Sequence, residues 1–169
     1  MLSHPLNKVI EMTDMRDATD LTAIFETAEF ADAYKITYLA GAIVIPAYDD
    51  VGRDFGVMRS EYNLLFCLAH FKELTAQDVA KMTRRPRNSI SRAVHRMQSE
   101  GYLTRVPDPN DGRQAQLSIT AKGRKMHEKI AAYLVRREAE LFDVLDAAER
   151  AQLRATLLKL VTHAAGLPR

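Results

Sequence analysis

Leu74-Thr75-Ala76-Gln77-Asp78-Val79-Ala80-Lys81-Met82-Thr83-Arg84-Arg85-Pro86-Arg87-Asn88-Ser89-Ile90-Ser91-Arg92-Ala93-Val94-His95-Arg96-Met97-Gln98-Ser99-Glu100-Gly101 is the stretch on which the fold turns. It opens with a helix-start signature. Thr75 is a good N-cap, Asp78 places negative charge in the first turn, and Leu74 and Val79 are spaced as a hydrophobic staple. This first helix runs only to about Met82. After a short turn, Pro86 takes a favourable first helical position and a longer helix reaches about Ser99, stopped by Gly101.

The longer helix has two faces. Ile90, Val94 and Met97 share one side with Ala93 beside them, which predicts a core stripe. The other side shows Arg87, Asn88, Ser89, Ser91, Arg92, His95 and Arg96. Small polar residues near a helix N-terminus can approach base edges, and arginine reaches guanine or phosphate. The free N–H groups of the first turn also favour a phosphate. Plain solvent exposure would give a polar face too, but it would not exclude acids. No Asp or Glu occurs between Lys81 and Ser99, and Lys81, Arg84 and Arg85 flank the helix.

Working outward, Leu103–Val106 and Ala115–Ile119 read as two paired strands. They are joined by the turn formers Pro107-Asp108-Pro109-Asn110-Asp111-Gly112-Arg113. That tip would carry Arg113 towards a narrow, electronegative minor groove, with Asp111 orienting it. The order is helix, short helix, turn, longer helix, two-stranded ribbon. Charge follows it: the balance is −7 over residues 1–80, +5 over 81–113 and +4 over 114–169. A basic middle after an acidic beginning suggests a polyanion surface.

The flanks read as helix. Residues 1–20 lack periodicity and predict a loose arm. From about Leu21 to Phe55, Phe30, Tyr34, Tyr38 and Leu39 recur at helical spacing, with Pro46 expected to kink or break the run. Ser60–Phe71 predicts a core helix carrying Leu64, Leu65, Leu68 and Phe71. From Thr120, a stripe of Met126, Ile130, Tyr133, Leu134, Leu141 and Leu145 spans some 25 residues. Asp146–Glu149 then caps a last helix bearing Leu153, Leu157, Leu160 and Val161. These stripes are longer than a small central domain covers, so a second copy of the chain is the expected partner.

The chain of 169 residues is 47% hydrophobic and 27% charged, an ordinary globular profile. No apolar run suggests a membrane span, and Met1 to Asp20 is too acidic for a signal peptide. One cysteine, Cys67, allows no intramolecular disulfide and fits a reducing cytoplasm. It lies among apolar residues, which favours an inert thiol over a redox sensor. The five histidines lack metal-ligand spacing. No glycine-rich phosphate loop, G-x-S-x-G elbow or HExxH motif points to catalysis or a cofactor, so an enzyme is not expected.

From about Ala31 to the C-terminus, some 80% of the chain, the sequence resembles the MarR family (multiple antibiotic resistance regulators). The likeness rests on Leu74-Thr75-x-x-Asp78-Val79-Ala80, Arg87 through Val94, and Gly101-Tyr102-Leu103. It continues through Asp108 to Arg113 and Leu117-Ser118-Ile119-Thr120-Ala121-Lys122-Gly123. It implies a mainly α fold with a small β-wing, the winged helix-turn-helix flanked by N- and C-terminal dimerisation helices. On that reading residues 21–56 and 121–169 dimerise, and 57–120 bind DNA. The resemblance implies a cytoplasmic homodimeric repressor on a near-palindromic operator, with Pro86–Ser99 as recognition helix and Arg113 in the minor groove. Arg84, Arg85, Arg87, Asn88, Ser89, Ser91, Arg92, His95, Arg96, Asp111 and Arg113 form the expected DNA face. It further implies relief by a small, commonly aromatic ligand, with Tyr34, Tyr38 and His70 on the helices that line the family's pocket. Thr83 and Arg85 depart from the pattern, standing where the family usually has apolar residues. The alternatives are an architectural or protein-binding winged helix, and a thiol-sensing regulator using Cys67.

Overall fold

The computed structural model describes Phe25, residues 28–107 and residues 115–167. The expected arm at 1–20 and the ribbon tip with Asp111 and Arg113 lie outside the described residues. Among those described, the elements are α1 (Ala31–Phe55), α2 (Arg59–His70), α3 (Ala76–Thr83), α4 (Arg87–Ser99), β1 (Leu103–Pro107), β2 (Ala115–Ile119), α5 (Ala121–Leu141) and α6 (Ala147–Ala165). The fold is mainly α with a small antiparallel ribbon, as expected. The chain divides into two compact units, Met1–Val44 and Ile45–Arg169.

The described part of the first unit is the beginning of α1 and the residues before it. Phe25 meets the Tyr38 ring edge-on at 5.1 Å, and Phe30 lies 5.2 Å from Tyr34. Phe30, Tyr34, Ile36, Tyr38 and Leu39 are all exposed. Helix α1 runs through Pro46, so of the expected kink or break the break does not occur. A proline removes one backbone donor and crowds the preceding turn. Here it is an exposed residue of a 25-residue helix whose next residue, Ala47, is buried. Packing of the following turns offsets the lost bond.

The second unit has two apolar clusters. The larger joins Leu64, Leu65 and Leu68 of α2, Val79 and Ala80 of α3, and Ile90, Ala93, Val94 and Met97 of α4. It is completed by Tyr102, by Leu103 of β1 and by Leu117 of β2. Each fully buried leucine there contributes roughly 1.5–3 kcal/mol. The smaller cluster is Val51, Val57, Tyr62 and Ile130, which packs the end of α1 and the start of α2 on α5. The Tyr133 hydroxyl donates to Asp50 across that contact.

Local chemistry explains the boundaries. Thr75 accepts from Asp78 N at 3.2 Å while Asp78 Oδ2 accepts from Thr75 N at 2.9 Å, a reciprocal cap on α3. Asp146 and Glu149 repeat this arrangement at α6. Pro86 stands at the N-cap of α4 instead of its first helical position. Gly101 follows the C-cap at φ 75, a left-handed turn open to glycine. In the ribbon Leu103 pairs with Ile119 and Pro107 with Ala115. Leu74 exchanges backbone bonds of 3.2 and 2.8 Å with Leu117, a third partner that the sequence did not announce. Helix α5 ends earlier than its apolar stripe, because Phe142–Val144 tighten into a 3-10 turn and Leu145 is extended.

Candidate nucleic-acid interface

Helix α4 owes its orientation to its apolar face. Ile90, Ala93, Val94 and Met97 are buried, so the opposite side must face outward. Arg87, Asn88, Ser91, Arg92 and His95 are exposed and fall within an arc of about 140° at helical periodicity. Ser89 lies at its edge, half-buried. The first turn of α4 contains no acid, so no side chain there opposes the positive end of the helix dipole.

The remaining arginines behave differently. Arg96 lies at the flank of the arc, where its guanidinium meets both oxygens of Glu61 at 2.9 and 3.0 Å. It also donates to the Gly56 carbonyl at 2.9 Å and to Glu100 at 3.0 Å. The Glu61 side chain is 8% exposed, so this arginine neutralises a buried carboxylate. Arg84 caps α3 in the left-handed region, φ 52, and its guanidinium donates to the Ala164 carbonyl. Arg85 is half-buried and its Nε has no partner. Thr83, the other departure from the apolar pattern, satisfies its hydroxyl on the Val79 carbonyl at 2.7 Å.

Beside α4 a cleft of about 260 Å³ opens between the start of α3 and the ribbon, lined by Thr75, Gln77, Ser91, His95 and Arg105 among others. Arg105 was not among the expected residues. Strand alternation was the available signal, since Arg105 stands two residues beyond buried Leu103 and opposite Leu117. Only the fold brings that face beside Ser91 and His95.

Residues 55–114 match the family model described as the MarR family. Over those residues the chain is similar to the MarR-family winged helix. Its fold is similar to that of a MarR transcriptional regulator from Methanosarcina mazei, at a TM-score of 0.71 and 19% identity over 78% of this chain and 94% of that one. It is similar also to the transcriptional regulator BldR from Sulfolobus solfataricus, at 0.69 and 18% over 78% and 92%. A third likeness is to MepR of S. aureus in a complex with DNA, at 0.66 and 21% over 78% and 96%. No curated protein sequence matches the chain.

Outside this MarR-type helix, the residues expected at a ligand fall in separate units. Tyr34 and Tyr38 are exposed in the first. His70, in the second, bonds the Phe66 carbonyl at 2.8 Å and meets His127 edge-on at 5.8 Å. Tyr62 stacks on His127. His127 Nδ1 is buried without a partner, and burial, then the charges of His70 and Arg124, pushes this imidazole below its usual range. Cys67 is buried, which pushes its thiol up and keeps it protonated. No helix among the described residues is long and apolar enough to cross a membrane.

Proposed function

We propose that this protein is a sequence-specific DNA-binding transcriptional regulator that acts as a homodimer on a pseudo-palindromic operator. The observation that carries this reading is the acid-free arc of Arg87, Asn88, Ser91, Arg92 and His95, exposed because the opposite face of α4 is core. In this role α4 enters the major groove, with Asn88, Ser91 and Arg92 nearest the base edges. Arg84, Arg85 and Ser89 flank the backbone, and Arg113 with Asp111 serves the minor groove. Arg105 joins them as a phosphate contact. Arg96 serves this surface indirectly, holding the end of α4 against Glu61. The DNA-bound MepR structure supports the docking geometry.

Two copies would present two recognition helices about 34 Å apart, one duplex turn. Exposed apolar residues support the dimer: Phe30, Tyr34, Tyr38 and Leu39 in one unit, and Leu157, Leu158, Leu160 and Val161 of α6 in the other. The regulator represses by occluding a promoter and is relieved by a small ligand, for which the candidate residues are Tyr34 and Tyr38 in the first unit and, separately, His70 in the second. A ligand acts only through differential affinity for the two arrangements of the dimer. A thiol switch at Cys67 is disfavoured by its burial. The protein has no catalytic role and works in the cytoplasm, where its DNA is.

Selection of bound duplexes from a randomised pool at near-physiological salt tests this reading. The expected product is a near-palindrome with half-sites about one turn apart. An unenriched pool with salt-sensitive affinity identifies an architectural binder, and no affinity at all identifies a protein-binding winged helix.

A further inference from the structure

We propose that the root of the wing carries a separate small-molecule site, an open groove for an amphiphilic carboxylate lined by Tyr102, Ala121, Lys122, Lys125, Met126 and Lys129. Its volume is about 430 Å³, within the range of small-ligand sites. None of Tyr34, Tyr38 or His70 lines it, so it is distinct from the ligand region proposed above. It also stands whether or not the chain regulates a gene.

The chemistry follows from one helix face. Positions 122, 125, 126 and 129 recur at three- and four-residue spacing, so they share one side of α5. The floor is apolar, made by Ala121, Met126 and the Tyr102 ring, and lysine stems extend it. The rim is cationic. Lys122 is already engaged: its ammonium lies 4.5 Å over the Tyr102 ring and donates to the Glu100 carbonyl at 2.6 Å, just past the end of α4. Lys125 and Lys129 are exposed, and neither has an ion pair among the described residues. Two ammoniums one turn apart repel each other. An anionic head group would remove that repulsion while an apolar body covers the floor. No acid lines the groove. One negative charge on an apolar chain or ring is the ligand this arrangement fits.

The groove is continuous with the wing. The Tyr102 carbonyl accepts from Thr120 N at 3.1 Å. A Cβ at Gly123 would lie 2.1 Å from that same oxygen, so the first turn of α5 is pressed onto the ribbon's root. A ligand resting on Tyr102 therefore touches the residue immediately before β1.

Decanoate, kept below its micelle concentration and titrated calorimetrically into the full chain at low salt, tests the proposal, with decanol as the neutral control. Saturable binding of decanoate is expected. The double variant Lys125→Gln/Lys129→Gln, both positions exposed, should weaken it about fivefold while decanol is unaffected. Added salt should weaken it in the wild type and much less in the variant. Absence of saturable binding, or equal decanoate affinity in the two proteins, overturns the proposal. So does a variant that loses duplex affinity yet keeps decanoate affinity, since its lysines would then be phosphate contacts. Circular dichroism of the variant confirms that the fold is intact.

Discussion

Helices α4 and α6 both carry apolar residues at helical spacing and have opposite fates in the fold. Four of the 13 residues of α4 are buried, because α2 and α3 close over them. None of the 19 residues of α6 is buried, and Leu157, Leu158, Leu160 and Val161 stay exposed. An apolar stripe states that a helix must bury a face; it does not name what covers it. For α4 the cover lies in the same chain. For α6 the reciprocal cap of Asp146 and Glu149 holds the first turn, and the proposed second copy supplies the rest.

The largest effect is expected where the cover is intramolecular. Leu65→Ala should lower stability by about 3 kcal/mol in urea denaturation, because a fully buried leucine leaves a cavity. Leu158→Ala, exposed on α6, should leave the core intact and raise the dimer dissociation constant roughly tenfold in sedimentation experiments. Unchanged assembly in that variant would break the contrast. Gly123→Ala should cost about 2–3 kcal/mol, since the new methyl meets the Tyr102 carbonyl and the Ile119 side chain.

Two neighbouring arginines sharpen the comparison within α4. Arg96→Gln should destabilise by about 2 kcal/mol, because Glu61 would stay buried without its cation. Arg92→Gln should leave the urea midpoint in place and weaken operator binding about tenfold, with altered base preference. If Arg96→Gln were neutral for folding and Arg92→Gln were not, the two roles would be exchanged. Asp146→Ala should remove about 1 kcal/mol through the lost cap.

The smallest effect is a pH dependence at the contact of α2 with α5. His127, held below its usual range, faces His70, Tyr62, Arg124 and Glu128. The fold favours its neutral form. Its contribution is therefore present above the unfolded value of about 6.5 and is lost as pH falls through the lower folded value. The urea midpoint should drop between pH 7.5 and 5.5, and His127→Gln should flatten that drop. A slope that survives the substitution would place the titrating group elsewhere.

Much of the winged helix was legible because its signals are local. The cap at Thr75 and Asp78, the glycine stop at Gly101 and the two faces of α4 each lie within a few residues of one another. What escaped was long-range. Glu61 lies 35 residues from Arg96, so nothing nearby marked that arginine as a brace. Arg105 reaches the cleft beside His95 only through the ribbon's register. Pro46 read as a kink or break because propensity registers the missing donor and not the packing of the turns that follow.

By itself the sequence determined the caps at Thr75 and Asp146, the stop at Gly101, the apolar face of α4, and the acid-free charge of the middle segment. These follow from capping, periodicity and composition, which act over one or two turns. Tertiary structure alone decided which cations face outward and which are consumed inside the chain. It also seated Leu74 beside Leu117 and pressed Gly123 onto Tyr102. The physical reason is distance: an ion pair or a close backbone approach between residues far apart in sequence exists only after the core has brought them together.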